Sequence, residues 1–333
     1  MRAIILFALI LLTQAFSPDA QEAESITSNT KAFNVIISPE TQPELVLDGT
    51  TSEPGLTFTE GPSWLNGKLY FSNYYMFWKK WKSSDEGGLI EVSLDGTHRV
   101  LNRDVQTCGT IPLSNGNLAV CDLINCSVVE MTPDGRVIRT LARSYEGKRF
   151  GRPNDIVTDA KGGIYFTDPN NSPKWKEKMT GNAIYYIAPD GDLTRLTDWD
   201  EYGFPNGIVL SPDGHTFYVN DTQSFIISAY DVADDGSLSN KREFAMLKEF
   251  TDAKGEKVVS YADGMTIDTL GNIYVAVPQG IEIFDNAGTF IGVIAFPKGP
   301  SNCIFGGDDM KTLYATCRDQ IYRIRTKVVG VGY

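Results

Sequence analysis

The sequence predicts an all-β chain folded as a six-bladed β-propeller with four-stranded antiparallel blades. Three observations carry this: one hairpin pattern recurs six times, the copies are a propeller blade's length apart, and helical periodicity is nearly absent. Each copy begins with a turn rich in Gly, Asp or Asn and runs into a strand of alternating apolar and aromatic residues: "LNGKLYFSN", "SNGNLAVCD", "AKGGIYFTD", "PDGHTFYVND", "TLGNIYVAV" and "DDMKTLYATC". The third strand positions fall at Tyr70, Ala119, Tyr165, Tyr218, Tyr274 and Tyr314, at intervals of 40 to 56 residues. A further strand follows each, as in "GLIEVSLDG", "SVVEMTPDG" and "AIYYIAPDG"; one strand before the turn and an outer one such as "RVIRTLA" or "TFIGVIAF" complete four. The sixth copy supplies only three, so an N-terminal strand, in residues 33–38 or in 44–48, is expected to complete that blade and close the ring. A β-sandwich would show regular turns without so long a repeat.

The rest of the chain bounds the context. Its 333 residues carry 42% hydrophobic and 22% charged side chains, enough for a sizeable core. The opening "MRAIILFALILLTQAFSPDAQEAES" has one basic residue, a ten-residue apolar run and then small and polar residues, the form of a secretory signal peptide over residues 1–20. Ten apolar residues are too few to span a bilayer. The expected organisation is thus a signal peptide, a flexible lead-in over residues 21–32 and one propeller over residues 33–333, in a secreted or periplasmic protein that is a monomer or small oligomer. A formal charge of −12 argues against nucleic acid or an anionic membrane as partner. The five cysteines match no metal-ligand spacing; after export a close pair can oxidise, and Cys303 and Cys317 are placed to face each other across a hairpin.

Within the third copy, "GRPNDIVTDAKGGIYFTDP" reads as strands over 155–158 and 163–167, yet it opens with residues poorly suited to a strand. Alignment of the copies resolves this. Ten to twelve residues before each marker, at the start of the innermost strand, stand Glu60, Cys108 or Gly109, Asn154, Asn206, Asp263 and Asn302. Strand starts around a ring share one height, so Glu60, Asn154, Asn206 and Asp263 should converge near the axis. Two carboxylates and two amides in a partly buried space call for a cation among them. An all-oxygen set suits Ca²⁺, which tolerates irregular coordination better than Mg²⁺; another divalent cation remains open.

These residues also resemble a known family. "EGPSW…KLYFSN", "RPNDIVTDAKGGIYFTDP", "PNGIVLSPDGHTFYVND", "DGMTIDTLGNIYVA" and "PSNCIFGGDDMKTLYAT" look like the gluconolactonase, luciferin-regenerating-enzyme and regucalcin family of six-bladed propellers, in order and in register over roughly residues 56–325. The resemblance implies one channel Ca²⁺ held by Glu60, Asn154, Asn206 and Asp263. It also implies hydrolysis of a lactone or related ester, with Arg152 and Asn154 on the substrate. Many members carry Asn-Gly in the second copy, where this chain has Thr107-Cys108-Gly109-Thr110.

The remaining residues narrow the chemistry. Only two histidines exist, His98 and His215, both in or beside peripheral turns, which disfavours a Ser-His-Asp or Cys-His machine, and no phosphate-binding Gly loop leads from strand to helix. Asp263 is the expected general base, Glu60 mainly a ligand, and Asp155 and Asp168 supports that orient the ligands. Arg152 either holds a substrate hydroxyl or carboxylate, or pairs with Asp155. The aromatic loop over residues 74–88 either roofs the channel or plugs blade one. The leading expectation is a Ca²⁺-dependent, gluconolactonase-like hydrolase of a small-molecule lactone; the alternatives are a phosphotriesterase or arylesterase on the same site and a non-catalytic propeller with a structural ion.

Overall fold

A computed structural model describes residues 26–27, 30–53, 55–73, 87–93, 96–169, 180–251, 255–256 and 258–332. Six antiparallel sheets stand in a ring, and each innermost strand lies against that of the next blade, the sixth returning to the first. From inside outward, blade one is Thr59–Leu65, Lys68–Asn73, Gly88–Ser93 and His98–Asn102; blade two is Thr107–Pro112, Leu118–Asp122, Ser127–Met131 and Val137–Ala142. Blade three is Ile156–Thr158, Ile164–Asp168, Ala183–Ile187 and Leu193–Arg195; blade four is Pro205–Leu210, Thr216–Asp221, Ile226–Val232 and Leu238–Met246. Blade five is Met265–Ile267, Ile273–Val277, Gly280–Phe284 and Phe290–Ile294, with Ile26–Thr27 added outside.

Blade six confirms the expected closure: Asn302–Gly306, Thr312–Cys317 and Gln320–Arg325 are completed by Glu44–Asp48, which pairs with the last of them. Residues 33–38, the other candidate, form no strand. Thr30–Ile36 is a helix, because Phe33, Ile36 and Ile37 stand at helical spacing and put one apolar face onto the core beside Phe296, Ile324 and Val328. Lys327 N donates to Ile36 O at 2.7 Å and ties the helix to the closing blade.

The middle strands are buried on both faces, which is why they read as near-continuous apolar runs. Tyr70, Tyr165 and Tyr274 are fully buried between blades, and the Tyr165 hydroxyl reaches across to donate to Gly236 O of blade four. Burying each such ring stabilises the packing of adjacent blades by roughly 1.5–3 kcal/mol.

The cysteines do not behave as spacing suggested. Cys303 lies opposite Ala315 and Asn302 opposite Thr316, so Cys317 is two residues out of register with Cys303, and none of the five cysteines is in a disulfide. All five are buried as small apolar side chains. In blades three and five the ladder proper begins after Asn154 and Asp263, at Ile156 and Met265, although Asn154 N and Asp263 N still bond across to Thr167 O and Ala276 O. The segment expected to be a signal peptide, residues 21–25 and 28–29 of the lead-in and residues 74–86 of the aromatic loop lie outside the described residues.

Candidate active site

The site is built by a defect repeated at the same point of several blades. In blades one, two and four the register between the two inner strands shifts at residues 61–62, 108–109 and 206–207, a bulge at the start of the innermost strand. A bulge there re-aims the side chains at and beside it. It also places a glycine against the next blade. A Cβ on Gly61, whose φ is +51°, would meet Cys108 O at 1.4 Å, and one on Gly207 would meet Asp263 O at 2.3 Å. Glycine is thus required for neighbouring site positions to approach each other. The same contacts settle the second blade's equivalence on Cys108, so that blade presents no oxygen side chain at this level.

Glu60, Asn206 and Asp263 come together at the channel end of the ring. Asn206 and Glu60 lie close enough to Asp263 to pull its carboxyl down, and Glu60 is buried to 4% exposure. Burial, reinforced by the Asp263 and then the Asp155 charge, pushes the Glu60 carboxyl well above the usual range, against hydrogen bonds from Gly61 N at 3.1 Å and Asn302 Nδ2 at 3.4 Å. Asp263 is pushed up to about 6 by burial, with Asn206, Glu60 and Arg318 pulling it back. Asn206 Nδ2 donates to Thr222 Oγ1 at 3.0 Å, whereas its buried Oδ1 accepts no hydrogen bond. Asn154 stands at the same level, its carbonyl accepting from Gly109 N, but no hydrogen bond links its amide to the acid pair. Beneath lies a cavity of about 20 Å³, lined by Gly61, Thr110, Asp155, Asn302 and Cys303, enough for about one water.

The supporting acids each hold backbone in place. Asp168, wholly buried, accepts Gly151 N at 2.9 Å and Arg152 N at 2.6 Å, and Thr180 Oγ1 as well; burial raises its carboxyl to about 6. It therefore fixes the segment that presents Arg152 and Asn154. Asp155 accepts Ile208 N at 2.9 Å from blade four, and burial raises it to about 7. No ion pair joins it to Arg152.

Three features escaped the sequence reading. Asp122 and Asp221 end their second strands as Asp168 does; Asp221 likewise accepts Gly203 N and Phe204 N from the segment before its innermost strand, whereas Asp122 accepts Ile124 N and Asn125 N from the turn that follows it. The recurrent "CD", "TD" and "ND" strand ends carried that signal. Asn302, present in the alignment but left out of the ligand set, contacts Glu60. Arg318, in the turn between the middle strands of blade six, carries its charge beside Asp263 and Glu60 and left no mark in the repeat.

The metal-binding fit rests on this donor chemistry. Among the described residues no group of three or more His, Cys, Asp or Glu side chains is placed to hold an ion, so any site must use amide oxygens as well. The orphaned Asn206 Oδ1 beside two enclosed carboxyls is such an arrangement, and the residues fit a hard divalent cation.

A family model described as SMP-30/Gluconolactonase/LRE-like region matches residues 58–318. The chain belongs to this family. A gluconolactonase from Zymomonas mobilis is 31% identical over 296 residues, spanning 83% of this chain and 80% of that protein. Among solved structures, a gluconolactonase from Xanthomonas campestris shares the fold with a TM-score of 0.75 at 24% identity, covering 94% of this chain and 98% of that one. A calcium-binding protein, regucalcin, from Agrobacterium tumefaciens does so with a TM-score of 0.64 at 18% identity, covering 83% and 92%. Family membership supports a lactonase-type hydrolase acting on a small molecule.

Proposed function

We propose that the protein is an exported, Ca²⁺-dependent lactonase that opens a sugar-type lactone at the mouth of the channel. The observation that carries this is the meeting of Glu60, Asn206 and Asp263, with an amide oxygen left unsatisfied between them, in a chain of the gluconolactonase family. Glu60, Asn154, Asn206 and Asp263 would hold the ion. When bound, Ca²⁺ supplies Lewis-acid polarisation of the lactone carbonyl.

The chain's own residues do the rest. The Asp263 carboxylate takes the proton from the attacking water and returns it to the ring oxygen as the C–O bond breaks. Glu60 is oriented by Gly61 N and Asn302. Arg152, its backbone held by Asp168, grips a ring hydroxyl with its fork of donors. The small cavity below leaves no room for substrate, so the lactone enters from the site side. Export is proposed from the N-terminal apolar run alone.

The test is a pH-stat assay on aldonolactones and an arylester, with and without chelator. Chelator-sensitive lactone opening is expected. Turnover of the arylester but no lactone would move the reading to an esterase, and no chelator-sensitive turnover at all to a binding propeller.

A further inference from the structure

Arg318 occupies the two-residue turn between Thr312–Cys317 and Gln320–Arg325, at the end of the ring where the site residues lie. Its φ of +61° is a conformation that a long side chain adopts at a cost, typical of residues held for a purpose. The turn is tied to the site, since Arg318 O accepts both Thr59 N at 2.6 Å and Thr59 Oγ1 at 2.9 Å, and Thr59 immediately precedes Glu60. The guanidinium lies over the Phe58 ring, 5.3 Å from its centroid, and the residue is half-buried. The adjacent carboxylate, Asp319, is already paired with Lys298. Among the described residues no protein acceptor takes a hydrogen bond from the Arg318 guanidinium, and its nitrogens are not enclosed, so the fork of five donors is open to a ligand.

Asp263 and Glu60 are near, but on the reading proposed above their two charges are engaged by the divalent cation, and Arg318 is then an uncompensated positive charge at the channel mouth. Contact with the Phe58 ring helps to position the planar group, whose fork of donors suits bidentate recognition of a carboxylate.

We propose that Arg318 is a specificity residue that binds a carboxylate on the substrate remote from the scissile bond, so that the preferred substrate is the lactone of a sugar dicarboxylic acid and not of a simple aldonic acid. The inference rests on the lactonase reading for its substrate class, but not for the anion site itself.

The experiment is calorimetry on the Ca²⁺-loaded protein with glucarate and gluconate, which differ by one terminal carboxylate, alongside kcat/KM for glucarolactone and gluconolactone. Wild type is expected to bind glucarate at least about tenfold tighter than gluconate. Arg318→Gln should bring the two within about threefold, Arg318→Lys should keep part of the difference, and added salt should shrink it in wild type. The kcat/KM ratio between the two lactones should fall in parallel. Equal binding of the two acids by wild type would overturn the proposal, as would an Arg318→Gln variant, folded by its melting curve, that weakens both acids alike. If Arg318→Gln does not fold, the lysine variant and the salt dependence decide in the same way. If neither lactone is hydrolysed, the lactonase reading fails, while a glucarate preference lost in Arg318→Gln still upholds the anion site.

Discussion

Two sets of buried acids in the same repeat are treated in opposite ways. Glu91 and Glu130 lie in the third strands of blades one and two, each opposite an arginine, Arg99 or Arg139. Burial pushes both carboxyls up, but Arg99 with Lys68, and Arg139 with Asn117 and Asn115, outweigh it and hold them below the usual range. Glu60 and Asp263, at the channel mouth, have no ion pair with a protein cation among the described residues, and both are pushed up. Where the fold needs an acid neutralised it supplies a cross-strand cation. At the channel mouth it brings acids and amides together without an ion pair, Arg318 acting on them only through its nearby charge, and on the metal-site reading proposed above that is what separates a ligand site from a structural pair.

The largest test of that contrast is chemical. Asp263→Asn should lower kcat for the lactone by about 10²–10⁴-fold in a stopped assay, as loss of a general base does, while Glu91→Gln leaves it within about twofold. Gly207→Ala should come next. Its new Cβ would strike Asp263 O, costing on the order of 1–3 kcal/mol in denaturant unfolding and displacing Asp263 along with it. Asp168→Asn removes the ionised acceptor that holds Gly151 N and Arg152 N, so KM should rise by about tenfold with a smaller change in kcat.

The smallest effect concerns an acid of the first kind that lacks its cation. Glu282 is the blade-five equivalent of Glu91 and Glu130, but the residue opposite it is Val293. Burial raises its carboxyl to about 7, against Lys248 N and charge. Because the folded pKa exceeds the unfolded one, its contribution is complete below the ordinary glutamate pKa and is lost as pH rises through about 7. Wild type should lose on the order of 1 kcal/mol at this group between about pH 5 and about pH 8, and Glu282→Gln should flatten that part of the melting profile. An unchanged profile would mean that Glu282 is neutralised by another route.

What could be read from the residues follows the range of the interactions. The blade count, the strand order and the convergence of Glu60, Asn206 and Asp263 were legible because each depends on a local offset from a marker residue, repeated six times. Of the two segments open for the closing strand, 44–48 takes that place and 33–38 does not, because the helical spacing of Phe33, Ile36 and Ile37 folds the latter onto the core as a helix. The Cys303–Cys317 expectation failed on register, since symmetry about a turn in sequence is not opposition across a ladder. Arg318 was invisible because its neighbours Phe58, Glu60 and Asp263 come from blades one and five, and only ring closure brings them together.

The most direct measurement is calorimetric titration of Ca²⁺ into chelator-stripped protein, comparing wild type, Glu60→Gln and Glu91→Gln. One ion per chain should bind, at least about a hundredfold more weakly in Glu60→Gln and unchanged in Glu91→Gln. No binding by wild type, or equal weakening by the two substitutions, would contradict the assignment of the channel-mouth acids as a metal site.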